Sequence, residues 1–529
     1  MKNLDSQDSV IVEGIQLSRR HFLAMLAGGV ALGALGNPLS ALAQAAAANG
    51  GVLRVAAQAN PSSLDPATGG SGSDHVFLYP IFDTLVEWDY ATLQPKPGLA
   101  KSWEFKDPRT LVLTLEQGVK FHDGTPFDAE AVKFNLDRSR TDVRSNIRTD
   151  LASVESVEVT GPYEVVLHLK APDAALPLIL SDRAGMMVSP KALKEMGERH
   201  DRNPVGTGAM KFVSWADGAK IVCTRNPDYW KPERYAVAGI EFTIITDPAT
   251  RLRSLMSGQS DLAYHLGGRQ LPLIERAKGL QVYTDSTIYC FQLYLNYSRG
   301  PLQDVRVRQA LNYAIDRQAY VQAVLAGAGE PAYMNLPKSH WAYDPEVAKL
   351  YPYDPDKAKA LLKEAGYGNG VKLDMRGYND QATIQAEEVL LAQFAKVGIG
   401  GRFTNGTIPE MSAAYFARGE GDLILSAWTG RPDPSMAYGL MYSKNAYFNA
   451  GRVAPPEGFD EALAESRATD DLAVRKQALA KVQRLVMEHA LVVPLAFRMD
   501  IVAAASYVQG YRNNLLGKPK FEGVSLKKA

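Results

Sequence analysis

Cysteine is nearly missing: Cys223 and Cys290 are the only two in 529 residues. Two thiols cannot build a disulfide framework or fill a four-ligand zinc site, so any metal would draw on His and carboxylates. The histidines stand at 21, 75, 122, 168, 200, 265, 340 and 489, and no two fall at i, i+2 or i, i+4. The HExxH zinc motif, the GxSxG nucleophile elbow and the Walker phosphate loop are all absent. An SxxK spacing occurs at 525–528, but a chain end cannot supply the rigid, oriented base that a nucleophile needs. Charge of one sign is not in excess either. Lys+Arg is 58 and Asp+Glu is 58, so the long-range pull toward nucleic acid or anionic lipid is lacking. These absences point away from an enzyme and leave no catalytic residue, no cofactor, no metal site and no nucleic-acid partner to assign.

Long apolar runs are also scarce. The one at 22–36, FLAMLAGGVALGALG, is shorter than the ~20 residues of a membrane-spanning helix. It follows Arg19-Arg20 and precedes Ala41-Leu42-Ala43, a small-x-small cleavage signature. Residues 1–43 therefore read as a signal peptide of the twin-arginine type, cut after Ala43 or Ala45. A retained membrane anchor is the alternative. No Cys lies near the cut for a lipid anchor. The expected mature protein is a soluble periplasmic monomer. There a Cys223–Cys290 disulfide is chemically permitted, and two separate buried thiols are equally compatible with the strand-like runs around them.

What is present reads as α/β. Strands are expected at 52–56, 110–115, 154–159, 164–169, 210–215, 220–225, 239–246 and 291–296. Gly161-Pro162 marks a hairpin turn. Helical spacing covers 305–325, 381–397 and 472–489, Asp128 can cap a helix at 129–138, and Asp354-Pro355 opens one that stops at Gly366. A β-rich first half, an α/β second half and a strand-like tail suggest two lobes, with the chain crossing near Asn296 and returning near Pro494.

Several segments then argue together. GTGAMKF at 206–212, Trp215 and RNPDYW at 225–230 resemble a signature of bacterial extracellular solute-binding proteins of the peptide/nickel class, family 5. FHDGTPF at 121–127, DVRVRQALNYAIDR at 304–317 and YDPDKAKALL at 353–362 are similar to further segments of that family, in the same order. Ala209-Met210 stands where the family usually has Pro-Tyr, a change that concerns packing. The resemblance implies a large type II periplasmic binding protein. Its lobe I would span 44–295, including an extra β-rich subdomain at about 91–205, its lobe II 296–494, and its return to lobe I 495–529. A ligand would lie between the closing lobes, and the partners would be a small-molecule or peptide ligand and the permease subunits of an ABC transporter. A chemosensory receptor, or an enzyme on the same scaffold, is the competing expectation. The 206–208 turn, the NPDYW segment, Arg306 and Arg308 are expected to be framework.

The resemblance also places a cleft. Its expected lining is the loop 68–75 with Ser73 and His75, then Tyr289 and Phe291, then Trp428 and the loop after it. Packing of Tyr289 and Phe291 in a lobe core is equally open. That last loop reads Trp428-Thr429-Gly430-Arg431-Pro432-Asp433-Pro434. In dipeptide- and oligopeptide-binding relatives an Asp in this loop anchors the peptide's amino group. Counting from the Trp puts Arg431 there, whereas counting back from Asp-Pro makes Asp433 a general turn residue. Arg431 would welcome a carboxylate and repel an ammonium. Its other fate is a surface pair with Asp433 or another carboxylate. Arg376 is a second candidate for the same chemistry.

Overall fold

The computed structural model describes residues 50–527 and, before them, only the backbone pairing of Ser9–Val12 with Ile15–Ser18. The twin-arginine pair, the apolar run and both cleavage positions lie outside the described residues. One continuous sheet carries both lobes. In lobe I its strands run in the order Met210–Ala216, Lys220–Arg225, Gly239–Ile244, Val52–Ala57 and Leu262–Ala263. Val52–Ala57 pairs in parallel with both of its neighbours and is apolar and buried through most of its length, as a strand covered on both faces must be. In lobe II the order is Leu423–Trp428, Val371–Tyr378 and Ile399–Gly406, paired in parallel; Leu423–Trp428 is mostly apolar, Val371–Tyr378 buries alternate residues, and the edge strand Ile399–Gly406 is largely polar and open.

Two long antiparallel strands, Leu280–Leu295 and Val492–Ala505, join these halves. The first half of Leu280–Leu295 pairs with Met499–Ala505 beside lobe I, and its second half pairs with Val492–Phe497 and with Leu423–Trp428 of lobe II. Leu293 and Leu295, just before the expected 295/296 division, therefore pack in one core with Leu302, Leu373 and Leu423. The strand start was hidden because Thr284 and Asp285 are exposed and polar, which breaks the apolar alternation. Asn296, where the crossover was expected, donates to Gly419 O at 3.0 Å.

The β-rich subdomain is a four-stranded antiparallel sheet, Ala100–Asp107, Thr110–Leu115, Glu164–Leu169 and Val154–Gly161 in spatial order, with its own core. Leu167 and Leu169 face that core while His168 reaches outward to Glu158. The helix Ala129–Thr141 covers it, and Asp128 accepts from Ala131 N at 2.9 Å as its cap. The single helical run expected at 305–325 is two helices, Val305–Tyr313 and Arg317–Leu325. Asp316 accepts from Ala319 N at 2.9 Å, which starts the second one. Asp354 caps Pro355–Glu364, and the chain turns out of it at Gly366 with φ of 89°.

The signature segments are framework. Asp83 accepts from Tyr229 OH at 2.9 Å and Trp230 Nε1 at 2.8 Å, tying NPDYW to the first lobe. Gly206 and Gly208 lie so close to the backbone at Ile81 that neither has room for a Cβ. Arg308 donates to Leu302 O and His489 O within lobe II. Both cysteines are free and buried, Cys223 in the lobe I core and Cys290 beside Ala332 and Phe497.

Candidate functional site

The ladder of the two long strands is broken where they pass between the lobes, at the floor of the expected cleft. Ser286 pairs with Met499 and Cys290 with Phe497, so Thr287, Ile288 and Tyr289 together stand opposite Arg498 alone. Such a bulge bends a strand and re-aims its side chains. Thr287 pins the bulge from both sides, donating to Arg498 O at 2.7 Å and accepting from Tyr289 N at 3.2 Å. The Arg498 guanidinium lies 4.2 Å from the Tyr289 ring centroid. Phe291 is half-buried, 5.3 Å from the Tyr289 ring, and packs against the lobe II core.

Lobe II supplies one wall. Leu423–Trp428 ends opposite Cys290, and Trp428 is buried against Phe448. Gly430 follows with φ of 86°, and a Cβ there would overlap the Ile288 side chain, so glycine alone lets this loop close onto the floor. Arg431 comes next. It donates to Gly430 O at 3.0 Å and lies 5.5 Å from the Trp428 ring centroid. Among the described residues no carboxylate comes within ion-pair distance of it. The surface pair with Asp433 does not form. Asp433 is fully buried, 2.6 Å from Arg475 Nη2, and accepts from the backbone N and hydroxyl of Ser435. Burial alone would raise the Asp433 carboxyl, but Arg475 holds it below its ordinary range.

Lobe I supplies the other wall, and here the charges are matched. Lys518 Nζ donates to Asp182 at 2.9 Å, and His75 presents Nε2 to the same carboxylate at 2.5 Å and Nδ1 to Gly72 O at 3.0 Å. Burial pushes the Asp182 carboxyl up, yet His75 and Lys518 together hold it well below the ordinary range. Arg183 donates to Gly69 O at 2.6 Å and to Asp74 at 2.9 Å, which fixes the 68–75 loop. Ser73 is spent on that loop, with its Oγ 2.7 Å from Ser71 Oγ. Asp150 is raised by burial, with Arg431 across the cleft as the largest opposing influence. Lys518, lowered by burial, also feels the Arg431 charge. Arg431 of one lobe therefore stands within electrostatic reach of the other lobe's wall. On the outer side the lobes touch directly, where Ala174 N donates to Arg467 O at 2.8 Å and Met436 packs into the subdomain core.

Of the eight residues expected at the site, Arg431 lies against Trp428 and Tyr289 against Phe291, on the neighbouring paired strands. His75 and Ser73 stand in the opposite wall but are held by it. Two are corrected. Asp433 is committed to Arg475, and Arg376 is drawn to its own neighbour Asp374 and lies beside Gly421, before Leu423–Trp428 begins. Sequence reasoning missed Arg498, Asp150, Asp182 and Lys518. Only Arg498 and Asp500 left a trace, as two charges inside the otherwise apolar run VVPLAFRMDIVAAA.

Two lobes on one sheet, crossed by a pair of long strands with a walled cleft at their break, make a binding protein of the hinged kind. The family model for bacterial extracellular solute-binding proteins, family 5 (Middle), matches residues 94–449, and the chain belongs to that family. It is 28% identical to the dipeptide-binding protein of Escherichia coli K12, over 93% of this chain and 98% of that one. It is 29% identical to the glutathione-binding protein GsiB of Escherichia coli O157:H7, over 86% of this chain and 91% of the relative. The periplasmic binding protein DppA of Helicobacter pylori, solved with the peptide STSA, superposes with a TM-score of 0.80 at 25% identity, covering 92% of this chain and 99% of DppA.

Proposed function

We propose that the protein captures a small, carboxylate-bearing, peptide-like solute between its lobes and delivers it to the permease subunits of an ABC importer. In this reading Arg431 anchors the anionic group. One observation carries the choice of an acid: among the described residues Arg431 has no ion-pair partner, while the acidic residue beside it in the loop is buried against Arg475. A guanidinium has donors only, so it cannot accept from a free ammonium. Charge-assisted bonds of this kind contribute about 1.5–3 kcal/mol each, enough to select one ligand class over another. The rings of Trp428 and Tyr289 supply apolar walls, as small-ligand clefts generally need. The names of the dipeptide- and glutathione-binding relatives support a peptide-like ligand.

Closure would bend the two long strands at 286–290 and 497–499, because two strands with a broken ladder form the softest link between the lobes. Export by the twin-arginine route, a periplasmic location and a monomeric state complete the proposal. Mass spectrometry of the solute released by denaturing the purified protein tests the ligand class. An acid is expected, and a solute that is cationic at neutral pH rejects the assignment. Small-angle scattering before and after addition of that solute tests the hinge. The radius of gyration should fall, and an unchanged value at saturation rules out closure at this joint.

A further inference from the structure

The cleft floor holds a second guanidinium whose donors the protein leaves almost unused. Arg498 Nε is buried without a partner, and no carboxylate among the described residues comes within ion-pair distance of its side chain. Its one polar side-chain neighbour is His265 Nε2 at 3.1 Å, and that same nitrogen lies 2.9 Å from Gly517 O. One ring nitrogen cannot both accept from the guanidinium and donate to the carbonyl. If Nε2 carries the hydrogen, Arg498 faces an N–H. If Nδ1 carries it, that N–H is buried with no acceptor. Asp500 does not resolve the mismatch. It lies 3.5 Å from His265 Nε2, and its Oδ1 is itself without a hydrogen bond. Asn513, which donates to Asp500 O at 3.4 Å, leaves its Oδ1 unpaired as well.

Buried polar groups in folded proteins almost always find partners, and a concentration of orphans needs a ligand or ordered water to satisfy it. Here the orphans surround a cation lying on the Tyr289 ring at the break between the two long strands. Arg498 also occupies a different charge neighbourhood from Arg431. The groups that feel Arg431 are Asp150 and Lys518 on the lobe I wall, whereas those that feel Arg498 are His265, Tyr289 and Asp500 on the floor.

We propose that Arg498, backed by Tyr289, is a second ligand anchor, and that the solute carries two separated anionic groups, one for each guanidinium. The inference rests on the Arg431 reading for the first of the two groups. It narrows the ligand from an acid to a diacid, such as a peptide or amino-acid conjugate with two carboxylates. Two arginines at fixed positions would then act as a ruler, selecting for the spacing of the charges as well as their sign.

The probes are α,ω-dicarboxylates from malonate to suberate and the monocarboxylates of equal chain length, measured by thermal shift and calorimetry on the whole mature protein. One dicarboxylate length should bind at least tenfold more tightly than its monocarboxylate. Arg498→Gln should shrink that ratio below twofold while leaving monocarboxylate binding in place, and Arg498→Lys should retain part of the excess. Circular dichroism checks that both variants fold. Equal affinity for mono- and dicarboxylates of every length in the wild-type protein overturns the inference without any variant. So does an unchanged ratio in folded Arg498→Gln. If Arg431→Ala weakens both probe types and Arg498→Gln changes neither, the single-anchor reading survives and the diacid does not. If only Arg498→Gln has an effect, Arg431 is not the anchor.

Discussion

The two walls of the cleft use charge in opposite ways. On the lobe I wall Asp182 is matched to Lys518 and His75, and Asp74 to Arg183, with each carboxylate satisfied inside the protein. On the lobe II wall and the floor, Arg431 and Arg498 have no such partner among the described residues. A matched buried cluster fixes a shape, because removing one member strands the others in a poorly solvated place. An unmatched cation at a cleft is held ready for something from outside. In the proposed reading, keeping the shape and choosing the solute are separate jobs, carried by neighbouring groups of the same chemical type.

The largest effect should come from breaking the matched side. Asp182→Ala leaves Lys518 buried without its carboxylate, and such losses destabilise by about 3–5 kcal/mol. Denaturant unfolding reads this directly, and a change below about 1 kcal/mol would mean that the cluster is not a matched set.

A smaller effect, with a definite sign, comes from a buried acid that has no cation. Glu387 meets only the Asn405 amide, at 2.8 and 2.9 Å, and burial raises its carboxyl to about 7. A carboxyl raised on folding contributes stability that is fully present below its unfolded value near 4.5 and is lost as pH rises through 7. Glu387→Gln keeps an acceptor for Asn405 and does not ionise. The variant should therefore gain on the wild type as pH rises from 4.5 to 8, by about 1–3 kcal/mol at the top of that range. Melting curves across that range check it, and a difference independent of pH would show that the carboxyl is not raised.

Much of the fold was legible because it is written in short-range rules. Asp128, Asp354 and the Gly161-Pro162 turn each do locally what their residue types predict. The break at 287–289 was not legible, because it depends on which residue of a distant strand stands opposite. The site divided along the same line. Arg431 could be proposed because the loop after Trp428 has a recognisable frame. Asp433, read as a turn residue, and Arg376, the second candidate, gave no sign in sequence of their partners Arg475 and Asp374. Lys518 and Asp182 lie 336 residues apart, and nothing in either neighbourhood announces the other.

The account turns on the contrast between an arginine that has a partner and one that does not. Calorimetry with the solute that the protein carries through purification, comparing Arg431→Ala with Arg376→Ala, tests it most directly. Arg431→Ala should weaken binding tenfold or more, about 1.4 kcal/mol per decade, with little loss of thermal stability. Arg376→Ala, already satisfied by Asp374, should leave affinity within twofold. Unchanged affinity in Arg431→Ala, or an equal loss in both variants, would contradict the central claim.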